Sequence, residues 1–350
     1  MSALSAALSS RISQRRNWIN RLVIAYVFVG YGFSIACISS QSWAANILGV
    51  LLLIHTLLWA AYFVHEFVHH TVFRQPRLNA LLASIMLFLT GSCYCHFQDL
   101  ARNHLAHHKN RADFSAFSIG DFLRSLPKPL MQLITILEWL YFPAINFILR
   151  WFCALAPFFG QARRDERWRN AGLLMLRGSL FTLLGWHSWR SLPLYFLAYI
   201  CFINILRFMD CFQHTYAVFQ LGQSIPQYNL DYEEANTFSN LMPDRWRWLN
   251  LLFLNFGYHN AHHRLIHCPW YLLPQLDAEL YNSEYRQRVT LNRLVRNYHQ
   301  FRIHRLFHGG GAVADISTGL NLEQFSGGVG VSFLVLREPL DWLKLNPETV

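Results

Sequence analysis

Residues 43–70 read WAANILGVLLLIHTLLWAAYFVHEFVHH: twenty-two residues without a formal charge, then three histidines in six positions. As a helix, an uncharged run of that length covers the roughly 30 Å hydrocarbon core of a bilayer. The histidines gather at its end, which puts their nitrogens at the membrane's edge.

The remaining composition agrees with a membrane protein. The chain has 350 residues, 53% hydrophobic, 16% aromatic and only 14% charged, too apolar for an ordinary soluble domain. Further apolar windows begin at Arg21 (RLVIAYVFVGYGFSIACIS), Gly172 (GLLMLRGSLFTLLGW) and Leu192 (LPLYFLAYICFINIL). The polar start MSALSAALSSRISQRRNW leads into a span with no small-residue cleavage site, so no secretory signal is expected. Arg11, Arg15, Arg16 and Arg21 predict a cytoplasmic N-terminus. Seven cysteines without a C-x-x-C pair argue against a disulfide framework or a thiolate zinc site, and Cys93 and Cys95 read as packing residues. The net charge of +10 fits a cytoplasmic face resting on anionic lipid or receiving an acidic carrier. No basic run or motif points to nucleic acid.

Two more histidine clusters share one pattern, H-x-x-H-H: HLAHH (His104, His107, His108) and HNAHH (His259, His262, His263). With 17 histidines in the chain, about 0.04 such windows are expected by chance. On a helix, positions i, i+3 and i+4 share one side, so each cluster presents three imidazoles together, and His65 and His69 do the same at i and i+4. Neutral imidazole suits iron as well as zinc. Eight such ligands exceed what one ion can use, so two metals sharing a site is the economical reading. His70 points away from His65 and is left out of the ligand set with His267, and the scattered His55, His96, His187, His299, His304 and His308 read as surface or hydrogen-bonded residues.

HEFVH is also H-E-x-x-H, in which two histidines hold zinc and Glu66 acts as general base of a protease. That reading leaves two clusters idle, and the chain lacks the N-x-x-P and L-D-G elements expected of an intramembrane protease. HGGG at His308 has no G-x-S-x-G partner and is discarded as a hydrolase signature. A metal transporter would instead place polar ligands within several spans near the bilayer centre.

H-x-x-x-H, H-x-x-H-H and H-N-x-H-H, in this order and separated by further spans, resemble the membrane fatty acid desaturase family over roughly residues 20–300. The resemblance extends to RFMDCFQHTY, where His214 matches an additional histidine ahead of the third box. It implies nine metal ligands, His65, His69, His104, His107, His108, His214, His259, His262 and His263, holding two irons with O2 as co-substrate. Asp210 stands where acyl-CoA desaturases carry an asparagine, and with Glu66 and Asn260 it is a candidate to support a ligand. The implied reaction is desaturation of an acyl chain carried on CoA, carrier protein or lipid; hydroxylation and acetylenation use the same ligands. No H-P-G-G haem signature or iron–sulfur spacing occurs, which implies an external electron donor, a ferredoxin or cytochrome with its reductase. The third box begins with histidine where front-end desaturases carry glutamine, which disfavours front-end chemistry. Arg102, Lys109 and Arg111 flank the second box, where they would meet carrier phosphates or form a solvated basic face.

The expected fold is an all-α integral membrane protein: about four transmembrane helices in two hairpins, interfacial or re-entrant helices, and a cytoplasmic di-metal cap. All boxes must meet on one side, so even numbers of crossings separate them. The segment from Leu78 therefore reads as a re-entrant or partly inserted helix, and the segment from Leu130 as an interfacial pair. DRWRWLNLLFLNFGYHNAHH reads as an interfacial helix running into the third box. The chain divides into an N-terminal segment (1–20), a histidine-box domain (21–300) and a Gly-rich, loosely attached C-terminal region (301–350).

Overall fold

The computed structural model describes residues 17–329 and Leu334, without 116, 162, 220–222, 282–286, 309–313 and 316–318. The arginines at 11, 15 and 16 lie outside the described residues. The protein is mostly helical with almost no strand, an all-α membrane protein. Helices α1 (Asn17–Ile38) and α2 (Trp43–Val68) form a first hairpin. Ser42 caps α2, and the Asn46 amide reaches back to the carbonyls of Cys37 and Ser40 at 3.0 Å each, closing the end of α1. Gly49 permits the close crossing: a Cβ there would lie 2.8 Å from Ile38.

Helix α3 (Pro76–Leu89) has 14 residues, about 21 Å, too short to cross. A loop of seven residues leads to α4 (Phe97–Asn110) and then α5 (Ile119–Ser125). Helices α6 (Lys128–Trp139) and α7 (Ala144–Phe159) are bent by 118° at Pro143, which fits a pair that does not run straight through a bilayer. Glu138 fastens the bend, accepting from the Ile145 N–H at 2.8 Å and pairing with Arg207 at 2.8 Å.

Helices α8 (Arg167–His187) and α9 (Ser191–Asp210) form the second hairpin. Among the described residues three helices, α1, α2 and α9, are long and apolar enough to cross a membrane, or four spans if the bent pair counts as one. The expected crossing at 172–188 is not among them. It has the length, but Arg167, Arg169 and Arg177 dilute its apolar character. Arg177 is accommodated by the Phe88 carbonyl and the faces of Phe88 and Phe181. The two hairpin turns meet: Ser191 Oγ lies 3.0 Å from Ser39 Oγ, and the Arg190 guanidinium 3.4 Å from Gln41. Exposed Trp43, Trp186 and Trp189 surround that end, and exposed Trp18, Trp168 and Trp248 the other, as two interfacial belts.

The other end carries a cap of short elements. β1 (Asp113–Phe114) pairs in parallel with β2 (Val218–Phe219), and β3 (Ser239–Leu241) with β4 (Arg288–Thr290). The expected continuous helix into the third box is interrupted. A 3-10 helix (Asp244–Phe253) ends where Leu254 and Asn255 take φ of 47° and 56°, and α11 (His259–Arg264) starts anew. After α10 (Leu230–Ala235), α12 (Leu273–Leu280), α13 (Leu291–Gln300) and α14 (His304–His308), the C-terminal segment returns to the body. Its described residues around Phe325 are packed, not loose. Phe325 is 0% exposed against Phe212 and Phe238, and Gly328 N–H donates to the Cys211 carbonyl at 2.7 Å. The seven cysteines form no disulfide.

Candidate metal centre

Five histidines from three helices form a first group. His65 stands in the last turn of α2 and His69 caps it, His104 and His108 are one turn apart on α4, and His262 comes from α11. One nitrogen of each lies within 4.8 Å of the others, and all five residues are buried. Nε2 contacts run His69–His104 3.0 Å, His104–His108 3.1 Å and His108–His262 3.3 Å.

A second group joins His107, His214 and His263 within the same limit. His259 reaches it through an Nε2–Nε2 contact of 2.7 Å with His214, and His107 Nε2 lies 3.2 Å from His214 Nε2. The rings of His108 and His263, with centroids 4.2 Å apart, link the two groups.

The division follows from helix geometry. At about 100° per residue, the i and i+4 positions of an H-x-x-H-H box differ by only 40°, whereas i+3 and i+4 diverge by about 100°. On α4 the i, i+4 pair His104/His108 serves the first group and His107 the second; on α11 the pair His259/His263 serves the second and His262 the first. The three imidazoles of a box thus share a side of the helix but address two centres.

Burial pushes His262 down to about 3, and it holds His104, His108, His214, His259 and His263 well below the ordinary imidazole range, with neighbouring histidines adding to the effect. The neutral form is the one that ligates metal. Neutral imidazoles cannot all satisfy one another through Nε2, because each contact needs one N–H and one lone pair. A cation shared by each group takes every lone pair, so the residues fit two metal ions. An all-imidazole donor set suits iron, copper or zinc in preference to magnesium or calcium.

Two carboxylates stand behind the second group. His107 Nδ1 lies 2.9 Å from Asp113 Oδ1, and His263 Nδ1 3.1 Å from Glu233 Oε1. Each carboxylate fixes the Nδ1–H tautomer and turns the Nε2 lone pair toward the centre. Arg111 in turn donates to Glu233 at 2.7 Å and to the Tyr228 carbonyl at 2.9 Å, so it buttresses the carboxylate behind His263. Arg102 and Lys109 are exposed. Sequence reasoning missed Asp113 and Glu233: Asp113 lies six residues after His107, beyond the reach of a helical spacing rule, and Glu233 is fixed only by tertiary contact.

The supporting candidates divide. The Glu66 carboxylate accepts from Thr71 Oγ1 at 2.6 Å and the Trp270 N–H at 3.3 Å, with its other oxygen 3.7 Å from His65 Nδ1. It ties α2 to the loop after the third box, an engagement unlike that of a general base facing a metal-bound water. Asn260 donates to the Thr237 carbonyl at 2.7 Å and accepts from Ser239 Oγ at 2.8 Å, fastening α11 to β3. Asp210 is the half-buried last residue of α9, one turn before His214. His70, at φ 54°, is exposed and meets Asn79, outside both groups. His267 Nδ1 lies 3.2 Å from the His69 carbonyl.

A comparison with curated proteins finds no match. The family model described as "Fatty acid desaturase" matches residues 41–294, well over half of the chain and a range that contains all nine histidines. On that match the chain belongs to the fatty acid desaturase family.

Proposed function

We propose that the protein is an O2-dependent di-iron acyl desaturase, with His65, His69, His104, His108 and His262 holding one iron and His107, His214, His259 and His263 the other. The observation that carries this reading is the sorting of nine histidines, all buried but the half-buried His214, into two adjoining groups. When bound, the iron pair supplies the reduction of O2 and the removal of hydrogen from an unactivated methylene. The chain's own part is to hold neutral imidazoles in place, to orient His107 and His263 through Asp113 and Glu233, and to exclude water by burial. The substrate is an acyl chain on CoA, carrier protein or lipid, and electrons come from a separate ferredoxin or cytochrome. Arginines 21, 74, 77, 163, 164, 167 and 169 flank the helix ends on the histidine side, against Arg190 at the turns, which supports a cytoplasmic site.

The test is mass-spectrometric profiling of acyl chains from cells expressing the wild type beside His262→Ala, with an electron-donor pair co-expressed. Species two mass units lighter, present only with the wild type, are expected. Species sixteen units heavier would make the protein a hydroxylase, and a single zinc with no altered acyl chain would overturn the reading.

A further inference from the structure

The first histidine group borders a small cavity lined by Tyr62, His65, Glu66, Phe256, His262, Trp270 and two leucines, with room for about one water-sized molecule. Leu254, Phe256 and Leu273 have no polar group to offer a guest, His65 and His262 turn theirs to the histidine group, and the Trp270 indole N–H is spent on Asn20. Of the Glu66 carboxylate, Oε2 is engaged by Thr71 and the Trp270 N–H, and Oε1 stands 3.7 Å from His65 Nδ1. Tyr62 differs: it is 1% exposed, and its hydroxyl has no hydrogen-bond partner among the described residues. Its ring is held against Phe256, centroids 4.6 Å apart, one helical turn before His65 on α2.

Phenylalanine would fill the same ring space without burying an unpaired hydroxyl, an arrangement that costs stability unless something meets the oxygen. We propose that Tyr62 is a catalytic residue whose hydroxyl donates a hydrogen bond to the small oxygen molecule, dioxygen or the water derived from it, lodged in the cavity it shares with His65 and His262. The proposal rests on the reading that these two histidines hold iron. The bond gives the guest a fixed orientation beside the metal-binding nitrogens while the surrounding apolar wall keeps bulk water out.

The experiment uses the full chain in detergent, loaded with iron, with sodium azide as the small-molecule probe followed by its charge-transfer absorption. Tyr62→Phe is expected to keep the wild-type iron content and to weaken azide roughly three- to tenfold, the loss of one hydrogen bond. Its KM for O2 rises while its KM for the acyl substrate does not. A second variant, Leu273→Phe, narrows the cavity from the opposite wall and is expected to weaken azide without loss of iron. Unchanged azide affinity in Tyr62→Phe at full iron content overturns the proposal alone. Loss of iron from Tyr62→Phe overturns it too, by making the residue structural. A wild type that binds no iron overturns the di-iron reading and the proposal together.

Discussion

Truncating Phe325 to alanine isolates what the C-terminal segment does for the metal centre. The side chain is fully buried, with centroids 5.2 Å from Phe212 and 5.0 Å from Phe238. Those two rings bracket the hairpin that delivers His214. Phe238 N–H donates to the Gln213 carbonyl at 2.9 Å, Thr215 N–H to the Asn236 carbonyl at 3.0 Å, and His214 bridges to Thr237. Removing a buried phenylalanine costs about 3–5 kcal/mol. Here the loss falls on a small satellite core of Cys211, Phe212, Phe238, Val289, Leu294 and Phe325, separate from the main helical core. A local unit loosened by that amount no longer holds His214 against His107 and His259, so the second group loses a shared member while the first keeps all five. The assay is metal per chain by mass spectrometry on detergent-purified protein, with thermal unfolding alongside. Phe325→Ala is expected to fall from two metals toward one, and Phe325→Leu, which restores most of the volume, to recover the second. Two metals per chain in Phe325→Ala, with an unchanged unfolding midpoint, would refute the reasoning.

Other outcomes follow from the same geometry. Glu233→Ala removes the acceptor for His263 and strands Arg111; metal affinity at the second group is expected to drop about 10- to 100-fold in a chelator competition, with the first group unaffected. Glu138→Ala leaves Arg207 buried without its partner, at a cost of about 3–5 kcal/mol, whereas Glu138→Met with Arg207→Met loses much less; thermal unfolding of the single and double variants measures the difference. Glu66→Gln retains an oxygen to accept from Thr71 and the Trp270 N–H, so both metals and the acyl activity persist within a fewfold. Loss of a peptide-cleaving activity in that variant would instead favour the zinc-protease assignment.

The parts of the structure legible in the sequence are those with a local repeat. The spans announce themselves by uncharged length, the boxes by histidine spacing, and His214 by the resemblance. Parity along the chain was enough to expect an α3 that does not cross and a pair of helices after Leu130, because two boxes on one side of a bilayer forbid an odd number of crossings between them, but it also asked for a crossing at 172–188 that α8 is not apolar enough to supply. What stayed hidden has no period. Asp113 and Glu233 support ligands through contacts that close only when β1 meets β2 and when α10 packs beside α11. Phe325 sits beyond a glycine-rich stretch whose composition suggested a loose tail, yet one aromatic side chain with two aromatic partners suffices to anchor it. The division of each box between two centres was implicit in the sequence all along, since 40° and 100° follow from 3.6 residues per turn. It becomes visible only when a second helix supplies the complementary pair. His104 and His108 on α4 face His262, while His259 and His263 on α11 face His107, so each helix lends its i, i+4 pair to one histidine group and its i+3 residue to the other. A shift of either helix by one residue would break both sets together. The bonds that fix α11, from Asn260 to Thr237 and Ser239, therefore protect both histidine groups at once.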